Sequence, residues 1–487
     1  MEPDAAVPVN ALLDWLRAGA GQGGRAERVI ETSIAWVVLF PDHVLKLKKP
    51  VDFGFIDLTS VDKRRWACER EVEFNRETAP DLYRGVRKVV SDGAGGFALD
   101  GAGEAVDWLV EMRRFADDAL LSLRPGGVEP ELAERLGREV ARFHARAAER
   151  PGPAGRDSLA YVLDSNAFLL RRKADVLGRA AVEDVVAATQ AAFDRLEPLL
   201  LQRGFGGFVR RCHGDLHLNN IMVEDGRPVL FDCIEFNDTL STIDVLYDFG
   251  FLLMDLGFRG QGTAANRAMN AWLDEAARGL PAEGFWEGLA ALPLFQSVRA
   301  AVRVHVTANQ DEPDLARRYL TAARAHLAPP PPRLVAVGGF SGSGKTSHAR
   351  RIAPELGAAP GAVLLRTDEI RKRLWGCAPL DRLPPEAYAP DQSHKVYAAM
   401  FDAAEKALGA GRAVVLDAAF LKPEERDAAE ALGRRAGVAC EGVWMDVAPE
   451  VMRARIAART GDASDADLAV LERQLAQGVG EVRWARA

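Results

Sequence analysis

Two short stretches of this chain carry residue types and spacings suited to handling phosphate. The first is Gly339-Phe340-Ser341-Gly342-Ser343-Gly344-Lys345-Thr346, which meets the pattern G-x-x-x-x-G-K-[ST] at every position. Glycines there allow backbone N–H groups to close around phosphate oxygens. A helix starting at the end of the loop aims its positive N-terminus at the same charge. Lys345 would neutralise the β- and γ-phosphates of a nucleotide, and Thr346 would ligand Mg²⁺. A glycine turn that matches by accident is the bland alternative. The flanks argue against it, because Leu334–Val337 reads as a buried strand and Ser347–Leu356 is compatible with a helix. The expected ligands are therefore ATP and Mg²⁺.

The second stretch is His213-Gly-Asp215-Leu-His217-Leu-Asn-Asn220. Asp215 and Asn220 stand at the spacing H-x-D-x-x-x-x-N of a kinase catalytic loop. Asp215 would orient or deprotonate an acceptor hydroxyl, and Asn220 would ligand Mg²⁺. Val229–Asp232 reads as a strand ending in a carboxylate, where a second metal ligand should fall. His213 and His217 beside Asp215 also suggest zinc. No third ligand of clear spacing follows, and the order Asp-Asn-Asp suits Mg²⁺ better. Upstream, Val44–Lys49 reads as a strand with Lys46 and Lys48 on one face. Glu69, Glu71 and Glu73 fall on the next helix. A lysine paired with a glutamate should contact the α- and β-phosphates, and Lys46 with Glu71 is the preferred pair.

Further carboxylates and arginines surround the first stretch. Ala413–Asp417 is an apolar strand ending in an Asp, the form of a Mg²⁺-supporting Walker B element, although a strand-end Asp can also cap a turn. Asp368 follows the apolar run Ala362–Leu365, so it stands at the carboxyl end of a strand, where open α/β sheets build their sites. It could accept the proton of an acceptor hydroxyl. Arg371, one helical turn on, could hold substrate or phosphate. Arg455 and Arg459 share a helix face and suit the spread charge of a phosphoryl group in transfer, with a solvated basic face as the bland alternative.

These residues need two frameworks to position them. Ile34–Phe40, Val44–Leu47, Asp81–Val90 and Ala105–Met112 read as strands, 59–79 as a helix, and 116–204 as mostly helical. Gly93–Gly103 reads as a hairpin tip. The four prolines Pro329–Pro332 break the chain after a helical stretch at Arg317–Leu327. The expected organisation is a domain over 1–327, a linker over 328–332 and a P-loop domain over 333–487. Arg299 and Arg303 read as a solvated or ion-paired face. Tyr388–Tyr397 lies where a segment covering a substrate could sit.

Composition narrows the classes. A net charge of −8 over 487 residues offers no basic field for nucleic acid. The five cysteines contain no C-x-x-C pair, which disfavours zinc and disulfide frameworks. Met1–Asn10 lacks the basic and apolar blocks of a secretory signal, and no apolar run is long enough to span a bilayer. The expectation is a cytoplasmic protein with a small-molecule partner, no membrane and an open oligomeric state.

Residues 333–480 resemble the small P-loop kinases related to zeta toxin, gluconate kinase and polynucleotide 5′-kinase. That resemblance makes Asp368 of the element Asp368-x-x-Arg371 the base toward the acceptor. It makes Arg455 and Arg459 lid arginines, and Asp462-Ala-Ser-Asp465 is similar to a lid-end signature in one branch of the group. Lys46–Asp57, Arg65, Glu71–Asn75, Ala79–Tyr83, His213–Asn220 and Asp244–Asp248 resemble an aminoglycoside phosphotransferase-like family whose members are often fused to such a P-loop kinase. The implied fold is a bilobal protein-kinase-like domain of α+β type followed by a parallel α/β P-loop domain. Two departures stand out. Glu31-Thr-Ser33 replaces a glycine-rich loop before Lys46, and Cys-Ile-Glu235 follows Asp232 in place of Phe-Gly. Glu235 could add a polar contact or cap a turn. Three readings stay open: two small-molecule kinases, a nucleotide-gated regulatory module, and a toxin-like kinase acting on a nucleotide sugar or nucleic-acid end.

Overall fold

Alternation along the strand His43–Lys48 organises the first half of the chain. Leu45 and Leu47 point to one side, and Val44, Lys46 and Lys48 to the other. The computed structural model describes residues 9–20, 24–54, 56–93, 96–458, 461 and 463–487. It divides into two compact units, Met1–Gly127 with Arg211–Thr242, and Val128–Arg210 with Ile243–Ala487.

The first unit is built on an antiparallel sheet in the order Arg28–Glu31, Ala35–Leu39, His43–Lys48, Ala105–Arg113, Tyr83–Ser91 and Phe97–Leu99. Leu45 and Leu47 join Val38, Val89 and Leu109 beneath Leu12 and Leu16 of the helix Val9–Arg17. The opposite face receives the helix Val61–Asn75 through Cys68 and Val72, packed with Val44, Tyr83 and Val110. Ser60 caps that helix by accepting from Lys63 N. Arg64 in its first turn grips Asp107 of the sheet with Nε and Nη2, each at 2.9 Å. The glycine-rich segment 93–103 is more than a hairpin tip, because it contains the edge strand Phe97–Leu99; residues 94 and 95 lie outside the described residues.

A second, smaller hairpin completes this unit. Ile221–Glu224 pairs antiparallel with Arg227–Leu230 across the turn Asp225-Gly226. Both turn residues have positive φ, 50° and 74°, which is the geometry that suits an Asp-Gly pair between twisted strands. The hairpin returns the chain beside Asn220, whose carbonyl accepts from Phe231 N at 3.0 Å.

The second unit contains a helical layer and a parallel sheet. The long helices are Pro130–Arg146, Ala154–Arg172, Arg179–Phe205, Val245–Phe258, Gly262–Ala276, Leu292–Asn309 and Pro313–His326. Arg299 and Arg303 do not form a solvated or ion-paired face. Arg299 is buried over the rings of Tyr247 and Phe251, and Arg303 lies over Tyr319. Among the described residues, no helix is long and apolar enough to cross a membrane. The sheet has the order Val363–Arg366, Val414–Asp417, Arg333–Gly338, Ala439–Trp444 and Ala485–Arg486, with parallel pairing throughout. Arg333–Gly338 is central, and its carboxyl end opens into Gly339–Thr346. The proline run therefore lies inside the second unit, and the P-loop sheet clusters with the helices that precede it.

The edge strand Val363–Arg366 is covered by side chains of the helix Gly262–Ala276. Asn270 Oδ1 accepts from Leu364 N at 2.7 Å, and its Nδ2 donates to Ala362 O at 3.2 Å. Asn266 Nδ2 donates to the same carbonyl at 3.0 Å. Unpaired edge groups are thus satisfied without a further strand. Asn270→Ala leaves Leu364 N without its acceptor and should lower unfolding free energy by about 1–3 kcal/mol. A urea titration followed by Trp fluorescence measures that loss.

Candidate active sites

The first unit brings Lys46, Glu71, Asp215, Asn220 and Asp232 into one connected cluster. Lys46 and Lys48 share a strand face, and Glu71 lies on the buried side of the helix Val61–Asn75, whereas Glu69 and Glu73 are exposed. Lys46 Nζ stands 2.8 Å from Glu71 Oε1 and 2.6 Å from Asp232 Oδ1. Burial disfavours its ammonium, but Asp232 and Glu71 hold its pKa well above the ordinary lysine value. Asn220 Nδ2 donates to both the backbone O and Oδ2 of Asp215, each at 2.9 Å. Asp215 is two-fifths exposed, and His217 Nε2 lies 3.4 Å from its Oδ2. The buried His213 accepts from Asp215 N through Nδ1, at 3.3 Å, while its Nε2–H donates to Phe231 O, at 2.9 Å. His213 thus braces the loop against the hairpin.

Asp232 adopts φ 60°, in the left-handed region that costs a non-glycine residue energy. Its N–H donates to the Tyr83 hydroxyl at 3.1 Å, and Cys233 N–H donates to Asn75 Oδ1 at 3.0 Å. These bonds hold the bend that aims the Asp232 carboxylate at Lys46.

Spacing alone leaves Lys48 as the alternative to Lys46 and Glu235 as a polar contact or a turn cap. Lys48 is fully buried, with Nζ 2.5 Å from Glu71 Oε2, and it also donates to Glu235 Oε1. Glu235 therefore makes the polar contact, to a lysine, and among the described residues its side chain caps no turn. Burial drives the Glu235 carboxyl up, and Lys48 offsets this only in part. Burial would also push Glu71 up, but Lys46 and Lys48 together bring it down from 4.5 to about 2. The signal in the sequence was the second lysine on the same strand face.

In the second unit, Gly339, Gly342 and Gly344 all have positive φ, at 144°, 80° and 92°. A Cβ on Gly342 would meet Met452 O at 2.7 Å, and one on Gly344 would meet Arg455 Nη1 at 3.1 Å, so side chains are excluded from the cradle. Thr346 Oγ1 donates to Asp417 Oδ2 at 2.6 Å. Lys345 Nζ donates to Phe340 O at 2.8 Å, and Ser341 N donates to Gln474 Oε1 at 2.9 Å. Ser343 Oγ is buried and has no hydrogen-bond partner among the described residues. The glycine cradle, this orphan hydroxyl and the Thr346–Asp417 pair fit a nucleotide phosphate chain with Mg²⁺. Arg455 Nη1 reaches Ser343 O at 3.0 Å, and Arg459 lies outside the described residues.

Asp368 lies in the first turn of the helix Thr367–Leu374. Arg371 donates from Nη1 to Ala387 O at 2.6 Å and lies over the Tyr388 ring. Burial lowers its pKa, with Asp368 among the groups opposing that shift. Arg366 was also missed by spacing, and it contacts both Asp417 and Glu369.

Residues 121–289 match a family described as "Phosphotransferase enzyme family", and residues 334–478 match one described as "AAA domain". With the two clusters above, they define an ATP-dependent phosphotransferase of the kinase type that also carries a P-loop domain. The chain is 31% identical over 459 residues to "Uncharacterized protein Rv2004c" of Mycobacterium tuberculosis and to "Uncharacterized protein Mb2027c" of Mycobacterium bovis. Each alignment covers 90% of this chain and 87% of the relative. The chain belongs to the family of these proteins, and it joins an aminoglycoside phosphotransferase-like domain to an AAA-type P-loop domain. Among solved structures it is similar to "Amicoumacin kinase hAmiN in complex with AMP-PNP, Ca2+ and Ami", at 13% identity, covering 64% of this chain and 92% of that one, with TM-score 0.41.

Two outcomes follow from the buried charges. Lys48→Met strands Glu235 and should cost about 3–5 kcal/mol, of which Lys48→Met with Glu235→Gln recovers a large part in a urea titration. A depressed carboxyl adds stability above its unfolded value, and that stability is lost as pH falls through the folded value. Glu71 therefore supports the fold above 4.5 and ceases to do so as pH falls toward about 2. Urea midpoints measured across that interval should fall, and Glu71→Gln should flatten this part of the profile.

Proposed function

We propose that the chain carries two kinase-type sites, one in residues 1–327 and one in 333–487, joined by 328–332. Each uses ATP and Mg²⁺ to phosphorylate a hydroxyl of a small molecule such as a sugar or amino sugar. The observation that carries this reading is the joining of Lys46, Glu71, Asp232, Asn220 and Asp215 through direct contacts or the hairpin between them. At the first site Asn220 and Asp232 hold Mg²⁺, Lys46 holds the α- and β-phosphates against Glu71, and Asp215 takes the acceptor proton. At the second, Gly339, Ser341, Gly342, Ser343 and Gly344 line the phosphates, with Lys345 on the β- and γ-oxygens. Thr346 and Asp417 hold Mg²⁺ there, and Arg455 with Arg459 meets the charge of the transferring group. Asp368 is the base and Arg371 the contact to substrate. When bound, the metal neutralises charge that builds on the phosphate oxygens. The net charge of −8 disfavours polynucleotide acceptors.

A nucleotide-sensing role for the P-loop half is the second reading. It is favoured by the clustering of that half with helices that precede the proline run.

Phosphoryl transfer from γ-labelled ATP to a panel of sugars, amino sugars, aminoglycosides, nucleosides and RNA ends tests both readings. Asp215→Ala should abolish one labelled product and Asp368→Ala another, each by about 10²-fold or more. If Asp368→Ala changes nothing while Lys345→Ala alters the rate of the Asp215-dependent reaction, the sensing role replaces the second kinase site. Labelling that survives both Asp215→Ala and Lys345→Ala would defeat the two-site proposal.

A further inference from the structure

Arg366 ends the strand Val363–Arg366 and belongs to none of the phosphate-handling patterns. Its side chain is only 3% exposed. Nε lies 3.2 Å from Asp417 Oδ2, and Nη2 lies 3.4 Å from Thr346 Oγ1. Asp417 Oδ2 is also the atom to which the Thr346 hydroxyl donates, at 2.6 Å. The two side chains assigned above to Mg²⁺ therefore share one charged neighbour, and a guanidinium keeps its proton at any physiological pH. Nη1 meanwhile donates to Glu369 Oε1 at 2.8 Å, one helical turn on. Glu369 is held as a carboxylate inside the unit. Burial would push its pKa up, but Arg366, Arg138 of the helical layer and Arg350 of the P-loop helix bring it down.

A buried guanidinium and a divalent cation repel strongly when they compete for one carboxylate oxygen. The guanidinium is already bound at its other end to Glu369, so a small rotation toward Glu369 releases Asp417 without leaving either charge unpaired. We propose that Arg366 is the resident counter-cation of the P-loop metal site, exchanged between Asp417 and Glu369, so that Mg²⁺ enters together with the nucleotide phosphates. Arg366 is a positioning residue in this scheme. The inference rests on the reading that Thr346 and Asp417 hold Mg²⁺ with ATP.

The opposite roles of its two partners give a test that does not depend on turnover. Binding of a fluorescent, non-hydrolysable ATP analogue is titrated with Mg²⁺ on the full chain. The background carries Asp232→Asn, which weakens the first site. Arg366→Gln should lower the half-saturating Mg²⁺ concentration by about fivefold or more, because the competitor at Asp417 is gone. Glu369→Gln should raise it by about fivefold or more, because the guanidinium then loses the carboxylate that draws it away from Asp417. Arg366→Lys should keep a Mg²⁺ requirement nearer the parent chain. Arg366→Gln combined with Glu369→Gln removes both charges together, guards against misfolding of either single variant, and should behave like Arg366→Gln. A salt bridge that only supports the fold would move both single variants in the same direction, or neither, and a through-space field alone would return the double variant to the parent value; each of these results overturns the proposal. If the parent chain shows no nucleotide binding that Lys345→Ala abolishes, the ATP reading of the P-loop itself falls. If that binding is present but the two single variants do not diverge, the counter-cation role alone falls.

Discussion

A site built to receive a triphosphate must hold cations away from water, and those cations need partners before the nucleotide arrives. Glu71 is where that constraint is met in the first unit. Both of its oxygens are taken, one by Lys46 and one by Lys48, in a residue with no exposed surface. An isolated ammonium or carboxylate in that position would be driven to its neutral form, and the group would lose its use for phosphate. Because each charge is paired, Lys46 stays cationic, and its second contact, to Asp232, is one that a phosphate and a metal can take over from both sides. The strand His43–Lys48, the helix Val61–Asn75 and the segment Asp232–Glu235 are joined by this one carboxylate and its lysines.

The second unit meets the same requirement with different chemistry. Its P-loop lysine is satisfied by a carbonyl of its own loop, Phe340 O, and its buried arginine by two carboxylates. Glycines at positive φ line the proposed phosphate cradle there, where the first unit has no glycine-rich loop before Lys46 and gathers lysines and carboxylates instead. Strain is placed accordingly. In the first unit it sits on Asp232, at φ 60°, where the Tyr83 hydroxyl and the side-chain oxygen Oδ1 of Asn75 hold the bend. In the P-loop it is avoided by glycine at each position that needs it.

What could be read from the chain depended on how far apart the cooperating residues lie. Gly339–Thr346 and Asp215–Asn220 are local patterns, because phosphate and metal ligands from one loop must reach one small volume. Four strands of the first sheet, the helix Val61–Asn75 and three of the parallel strands were legible as local runs, whereas Arg28–Glu31, Phe97–Leu99, Ala439–Trp444 and Ala485–Arg486 were not. Lys48 and Glu235 are separated by 187 positions, and Arg366 and Asp417 by 51, so no local spacing connects them. Only the tertiary fold shows that both arginine and lysine are buried against acids. Arg299 illustrates the reverse error. Its spacing from Arg303 suggested a polar face, but the flat guanidinium stacks on Tyr247 and Phe251 and is buried through its plane. Side-chain shape decided that burial, and a charge pattern does not encode it.

In the P-loop half a single carboxylate, Asp465, fastens the segment that faces the proposed base. Asp465 accepts from Lys372 Nζ at 3.0 Å, from Leu383 N at 3.0 Å and from the Tyr388 hydroxyl at 2.6 Å. Burial and this carboxylate push the Tyr388 phenol up, so it remains a donor. Tyr388 in turn lies under Arg371, whose other contact is Ala387 O, one turn along the helix from Asp368. The segment around Leu383–Tyr388 is therefore tied at both ends to the helix that carries the proposed base. A segment fastened in this way is a preformed wall, its position set by Asp465 and Lys372. Under the proposed second kinase site, discrimination between acceptors would come from fit to that wall and from the Asp368–Arg371 pair, with less room for a loop that reshapes itself around each ligand.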